Sequence, residues 1–297
     1  TESVPTCLLV KANAWLEVSV VLSVLLGVAL GGGLTGWRND DLMGGALDMA
    51  VNPWWVKTQI LPAFGVVCLI YLASSCMNMG LNWMDAHKRR HPLTWRAVQW
   101  SSFWKNNRHL WVDPLGGFSL YVTTLSWGVG AVLQFAVLAW AQSSAGLSLQ
   151  QGAYLQAIVA LGVILGAVLA AKSFQIFNAR SALPWGVVLA VLLPCMALTS
   201  SLWLAVPMLI LAGCSGGMLL VPMNALLQYR GQKILTSGRS IAVQGFNENL
   251  SVLLMLGLYS MLLAWQVPLL LVMLLLMVPL LAAVMPWVFK IWRSSFA

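Results

Sequence analysis

Long apolar runs broken by short polar or basic segments set the pattern of this chain. Eight such runs stand out, at roughly 10–34, 59–80, 117–141, 152–171, 183–201, 204–227, 241–265 and 267–290. A bilayer core needs about 20 helical residues at about 1.5 Å each, and these runs supply that length. They lack the alternation over ~9–11 residues that marks a strand of an outer-membrane barrel. The pattern predicts an all-α, polytopic membrane protein with eight transmembrane helices. Pro62, Pro194, Pro207, Pro222 and Pro279 fall inside the runs, which is tolerated where neighbouring helices re-satisfy the backbone.

Composition supports this class. Of 297 residues, 60% are hydrophobic and 8% charged, against about 25% charged in soluble domains. The formal net charge of +8 follows from the loops and does not indicate nucleic-acid binding. With the N-terminus inside, cytoplasmic segments hold Lys11, Lys88, Arg89, Arg90, Arg96, Lys105, Arg108, Lys172, Arg180, Arg230, Lys233, Arg239, Lys290 and Arg293. The opposite side holds Arg38 and Lys57, beside Asp40, Asp41 and Asp48. That asymmetry alternates correctly at every loop and predicts that both termini are cytoplasmic.

The cysteines (Cys7, Cys68, Cys76, Cys195, Cys214) lie mostly in apolar runs without CxxC spacing and read as small buried hydrophobes. Trp15, Trp37, Trp54, Trp55, Trp83, Trp140, Trp203, Trp265, Trp287 and Trp292 fall near run ends, where headgroup anchoring is the default. His87 and His91 stand four apart, but Lys88, Arg89 and Arg90 crowd them and no third ligand cluster accompanies them, so no metal is expected. The basic 81–116 segment instead suggests a surface-lying amphipathic helix drawn to anionic lipid.

The seventh run breaks the apolar pattern. Gln244, Glu248 and Ser251 stand at i, i+4 and i+7 with Asn247 beside them, sharing one helical face. A charge at mid-bilayer costs at least ~2.5–3.5 kcal/mol, so this face must look into protein or water. The first run carries a similar arrangement. Asn13-Ala-Trp-Leu-Glu17 and Gln244-Gly-Phe-Asn-Glu248 each place a glutamate four residues after an amide, just past Lys11 or Arg239, and each runs on to Gly27 or Gly257. The two runs enter from the same side, six spans apart. That is the period of a transporter built from two six-helix halves. The expected organisation is then 1–80 as the last two helices of a first half, 81–116 as a basic cytoplasmic connector, and 117–297 as the second half. It corresponds to a twelve-helix architecture without its first four helices. The alternative is a genuine eight-helix protein.

Leu9-Val-Lys-Ala-Asn13, Val221-Pro-Met-Asn-Ala-Leu-Leu-Gln228 with Arg230-Gly231, Ala242-Val-Gln244 with Glu248-Asn249, and Leu254-Met-Leu-Gly-Leu-Tyr-Ser260 resemble the bacterial lysophospholipid transporters of the major facilitator superfamily. The resemblance runs over nearly the whole chain, from that family's fifth helix to its twelfth. It implies flipping of lysophospholipids, chiefly lysophosphatidylethanolamine, across the bacterial inner membrane. A cytoplasmic acyltransferase partner would then restore the second acyl chain. Where the family carries an arginine in its seventh helix, this chain has Gln134, which can hydrogen-bond a phosphate but cannot neutralise it.

The residues themselves suit an amphiphile with an ammonium and a phosphate. Glu248 and Glu17 could hold the ammonium, while Gln244, Asn247, Gln134 and Asn224 could hydrogen-bond the phosphodiester or glycerol. Gly27, Gly31, Gly162 and Gly166 are spaced as GxxxG and would let helices approach closely. Structural alternatives stay open: either glutamate could pair with Lys11 or Arg239 or tie helix to helix, and Asn224 could be a packing amide. A membrane anchor docking a soluble enzyme is the competing function, as is transport of another amphiphile. An enzyme is not expected, since no nucleophile–base pair, metal set or phosphate loop stands out, and no cofactor is expected.

Overall fold

The computed structural model describes residues 5–36, 65–77, 79 and 100–295. The expectations placed on Arg38, Lys57, Asp40, Asp41, Asp48, His87, His91, Lys88, Arg89, Arg90, Arg96, Trp37, Trp54, Trp55 and Trp83 lie outside these residues, as do the side chains of Gly31-flanking residues 28–36 and of 287–295. The helices are α1 (Leu9–Gly36), α2 (Gly65–Met77), α3 (Trp100–Val112), α4 (Gly116–Ser143), α5 (Leu149–Ser173), α6 (Leu183–Leu198), α7 (Leu202–Ile234), α8 (Ser237–Ala264) and α9 (Leu269–Ser295). The chain divides into two compact units, one of Thr1–Leu22 with Arg96–Ala297 and one of Ser23–Trp95.

Seven segments among the described residues are long and apolar enough to cross a membrane. They match seven of the eight predicted runs. The other run, 59–80, contains α2, which at 13 described residues spans only about 20 Å. In its unit α2 turns Val67, Leu69, Ile70 and Tyr71 outward.

Within the larger unit, α4 packs on α8, α5 on α7 and α6 on α9, with α4 also meeting α7. The central core joins Val129, Val132, Ala136 and Trp140 of α4 to Leu189 and Leu193 of α6, Leu219 and Met223 of α7, and Met273 and Leu280 of α9. Many outward positions remain large and apolar, among them Leu165, Leu253, Leu254 and Leu271. In a soluble protein so much exposed apolar surface would be a liability; on a membrane helix it is the lipid face.

The tightest seam lies between α5 and α7. A Cβ added at Gly162 would fall on the Ile210 carbonyl oxygen, and one at Gly166 on that of Cys214. Reciprocally, a Cβ at Gly213 would meet the Val159 carbonyl and one at Gly217 the Val163 carbonyl. Two GxxxG pairs therefore interlock, and the backbones touch. Lipid tails are as apolar as leucine, so close van der Waals packing rather than hydrophobic burial is what joins helices here. Gly27, expected to act similarly, has nothing within 4 Å of an added Cβ.

Other expectations also shift. Trp203 (92% exposed) and Trp265 (65%) suit a headgroup belt, but Trp140 is 0% exposed and its indole Nε1 donates to the Thr199 carbonyl at 2.7 Å. It is a core residue closing the α4–α6 end. The cysteines do not fill the protein interior: Cys7, Cys68, Cys76 and Cys195 are exposed and Cys214 is half-buried. Finally, α7 continues about two turns past the end of its apolar run. Loss of hydropathy marks a membrane edge rather than a helix end, and Arg230 is still helical as a result.

Substituting Gly166 by Val should push α7 away from α5 and cost about 1–3 kcal/mol. Gly130→Ala, at a site with nothing within 4 Å, should be neutral or slightly stabilising. Thermal unfolding of the two variants in detergent, followed by circular dichroism, checks the contrast.

Candidate functional site

The polar half of α8 meets three other helices. The Gln244 side-chain amide donates to the Glu248 carboxylate at 2.8 Å, one turn along the same helix. It also donates to Asn224 Oδ1 of α7 at 3.1 Å. Thr123 of α4 is fully buried; its hydroxyl lies 3.1 Å from the Leu120 carbonyl and within hydrogen-bonding reach of Glu248. Glu17 of α1 stands close enough to Glu248 for their charges to interact. Both carboxylates are half-buried, as are Gln244 and Asn224. Four helices thus converge on one acidic, amide-lined patch inside otherwise apolar spans.

This patch holds four of the six residues singled out in the sequence. The other two go elsewhere. Asn247 is 8% exposed and turns to α3: its amide donates to Asn107 Oδ1 at 2.8 Å and to the Val243 carbonyl at 2.7 Å. Its own oxygen accepts from Trp111 Nε1 at 3.1 Å. Each helical residue turns the direction of its side chain by about 100°, so Asn247 points away from the Gln244–Glu248 line, enough for a different neighbour. Gln134 lies farther along α4 and pairs with Gln156 of α5, whose amide donates to the Gln134 carbonyl at 2.9 Å. Among the described residues neither glutamate forms an ion pair with Lys11 or Arg239.

Two further polar contacts frame the patch. Asn13 of α1 and Gln228 of α7 exchange amide hydrogen bonds at 3.0 and 2.8 Å. They line a cavity of about 340 Å³ with Leu9, Leu16 and Ser19. At the end of α7, Arg230 clasps Asp113 through two parallel contacts, Nε to Oδ2 at 3.0 Å and a terminal nitrogen to Oδ1 at 2.5 Å. The Gly116 backbone N–H also donates to Asp113 at 2.6 Å, at the start of α4. Bidentate guanidinium–carboxylate pairs are among the stronger polar contacts. The Arg230 hydrogen bond holds the Asp113 carboxyl below the ordinary aspartate value, outweighing partial burial. Arg230, expected as a cytoplasmic loop charge, is instead a helical residue paired with Asp113, which carries no sequence expectation. The signal was Asp113-Pro114 directly before an apolar run, a helix-start signature.

Among the described residues no group of three His, Cys, Asp or Glu side chains could hold a metal ion. The arrangement offers two carboxylates and several amides, which suits a cationic or hydrogen-bonding head group held at membrane depth.

Fold and site together define an all-α, multi-pass membrane protein with a polar patch at the meeting of four helices. Comparison with curated proteins carries this further. The chain is 34% identical over 255 residues, 85% of its length, to the lysophospholipid transporter LplT of Enterobacter sp. (strain 638), covering 58% of that protein. The same identity over the same 85% relates it to the lysophospholipid transporters LplT of Yersinia pestis (strain Pestoides F) and Yersinia pseudotuberculosis serotype O:3 (strain YPIII), each covered over 57% of its length. The chain therefore spans somewhat over half the length of these relatives. No family model matches the chain, and no solved structure matches it.

Because the folded Asp113 pKa lies below its unfolded value, the clasp stabilises the fold above the ordinary carboxylate range. That stabilisation is lost as pH falls through the lowered value. Asp113→Asn should cost roughly 1.5–3 kcal/mol at neutral pH. The gap between variant and parent should close on acidification, as read by unfolding midpoints measured across pH.

Proposed function

We propose that this chain moves lysophospholipids across a membrane. The observation that carries this reading is the Glu248–Gln244–Asn224–Thr123 patch with Glu17 nearby, set among lipid-facing helices in a chain 34% identical to proteins named lysophospholipid transporter. A single-chain lipid can leave its acyl tail against apolar helix faces, so only its head group needs polar partners at depth. A carboxylate pair favours a primary ammonium, which makes lysophosphatidylethanolamine the preferred substrate in this reading. Glu248 and Glu17 would receive the ammonium, and Gln244 and Asn224 the glycerol or phosphodiester. Asn247 and Gln134 would act at a distance, through α3 and α5.

The same reading assigns the chain to the bacterial inner membrane with both termini in the cytoplasm, on the strength of its basic loops. It takes the organisation to be that of the major facilitator superfamily, with eight spans. Residues 1–80 would then correspond to the last two helices of one six-helix half, 81–116 to a connector and 117–297 to the other half. The pairing of α4 with α8, α5 with α7 and α6 with α9 supports treating 117–297 as one unit. A cytoplasmic acyltransferase would consume the delivered substrate by esterifying its free hydroxyl.

Vesicles carrying the chain should flip fluorescent lysophosphatidylethanolamine faster than protein-free vesicles. Glu248→Gln should slow that rate about tenfold, equivalent to roughly 1.4 kcal/mol of lost head-group binding in the transition state. An unchanged rate would remove Glu248 from the site, and no flipping by the parent chain would sink the transport reading for this chain.

A further inference from the structure

Helix α3 takes no direct part in holding a transported head group. It lies beside the ends of α7 and α8 and has two chemically distinct faces. The inner face is specific. Leu110 is fully buried with Leu120, Leu227 and Val243. Phe103 stacks edge-on against Phe246 of α8 at 5.0 Å between centroids, and Trp104, at the border of the two faces, does so at 5.8 Å. Asn107 and Trp111 hold Asn247 from both sides. The outer face has another character. Trp100 is 67% and Trp104 45% exposed, and Lys105, Arg108 and His109, which follow them, are exposed as well. The helix has no acidic residue, and among the described residues neither Lys105 nor Arg108 has an ion pair. Trp100, Trp104 and Arg108 follow at i, i+4 and i+8, with Lys105 alongside, so indoles and cations share one stripe.

We infer that the outer stripe of α3 is a docking surface for anionic phospholipid head groups, and that the Asn107–Asn247–Trp111 clasp ties this surface to the segment of α8 carrying Gln244 and Glu248. Charge complementarity selects the occupant. Indoles favour the headgroup zone, and two cations that have no ion pair among the described residues favour an anionic surface over a zwitterionic one. Asn247 stands one residue before Glu248, so seating α3 on the bilayer immobilises the turn of α8 on which the polar patch is built. The surface sets the position of α8; it does not itself bind the transported solute.

Hydrogen exchange of the full chain in nanodiscs tests this without a transport measurement, so its result is separate from that of the flipping assay. In discs of phosphatidylcholine with phosphatidylglycerol, amides of α3 should exchange more slowly than in phosphatidylcholine alone. Two surface cations predict up to roughly a thirtyfold effect. Residues 243–248 of α8 should slow in parallel. The exposed double variant Lys105→Glu/Arg108→Glu should abolish the lipid dependence. Asn247→Ala should keep it in α3 and lose it in α8. Equal exchange of α3 in both lipids would overturn the proposal. So would a lipid dependence that survives charge reversal, or slowing by glycerol 3-phosphate added to phosphatidylcholine discs, which would mark a small-anion site.

Discussion

Apolar side chains gain little by leaving lipid for another helix, and this constraint shapes the whole bundle. Helices held by hydrophobic burial in water must be held here by backbone proximity and by a few directed hydrogen bonds. The interlocked Gly162, Gly166, Gly213 and Gly217 supply the first between α5 and α7. Gln244–Asn224 supplies the second between the consecutive helices α7 and α8, and Asn13–Gln228, Asn247–Asn107 and Arg230–Asp113 supply it between segments distant in sequence. Each of these contacts uses a polar residue that could not face lipid cheaply.

The polar residues thus do two kinds of work, and position along α8 separates them. Asn247 is satisfied three times over by Val243, Asn107 and Trp111, which leaves it little capacity for a ligand. Glu248, one residue on, has Gln244 and Thr123 as neutral partners and a second carboxylate nearby. Neutral donors around two like charges leave room for a cation. Packing polar residues and ligand-facing polar residues therefore differ in how completely their valences are used rather than in residue type. Gln134 fits neither group: its side chain is exposed and reaches only Gln156, whose amide in turn donates to the Gln134 backbone carbonyl.

Resting the α8 patch against α7 and α4 also explains why α7 runs to Ile234. Its last two turns bring Arg230 to Asp113 at the start of α4. They also bring Gly231 against Ser240 of α8, so closely that a Cβ there would strike the serine side chain. The α7–α8 corner and the entry to α4 are consequently locked at the same end as α3. The polar patch stands on a framed end of the bundle rather than on free helix tips.

Sequence alone determined the class and most of the spans, because an apolar run of about 20 residues has few alternatives to a membrane helix. It also marked Glu17 and Glu248 as a pair, since their shared spacing from an amide and a basic end is written in the chain. The tertiary structure decided what each polar residue faces. Periodicity gives direction around a helix axis but not the identity of the neighbour, so Asn247 and Gln134 looked equivalent to Gln244 and Asn224 until packing separated them. Trp140 was expected at a headgroup belt, and Asp113 drew no expectation, for the same reason: a residue at the end of an apolar run can meet solvent, headgroups or protein. Only the approach of α7 to Asp113, and of Thr199 to Trp140, resolves which.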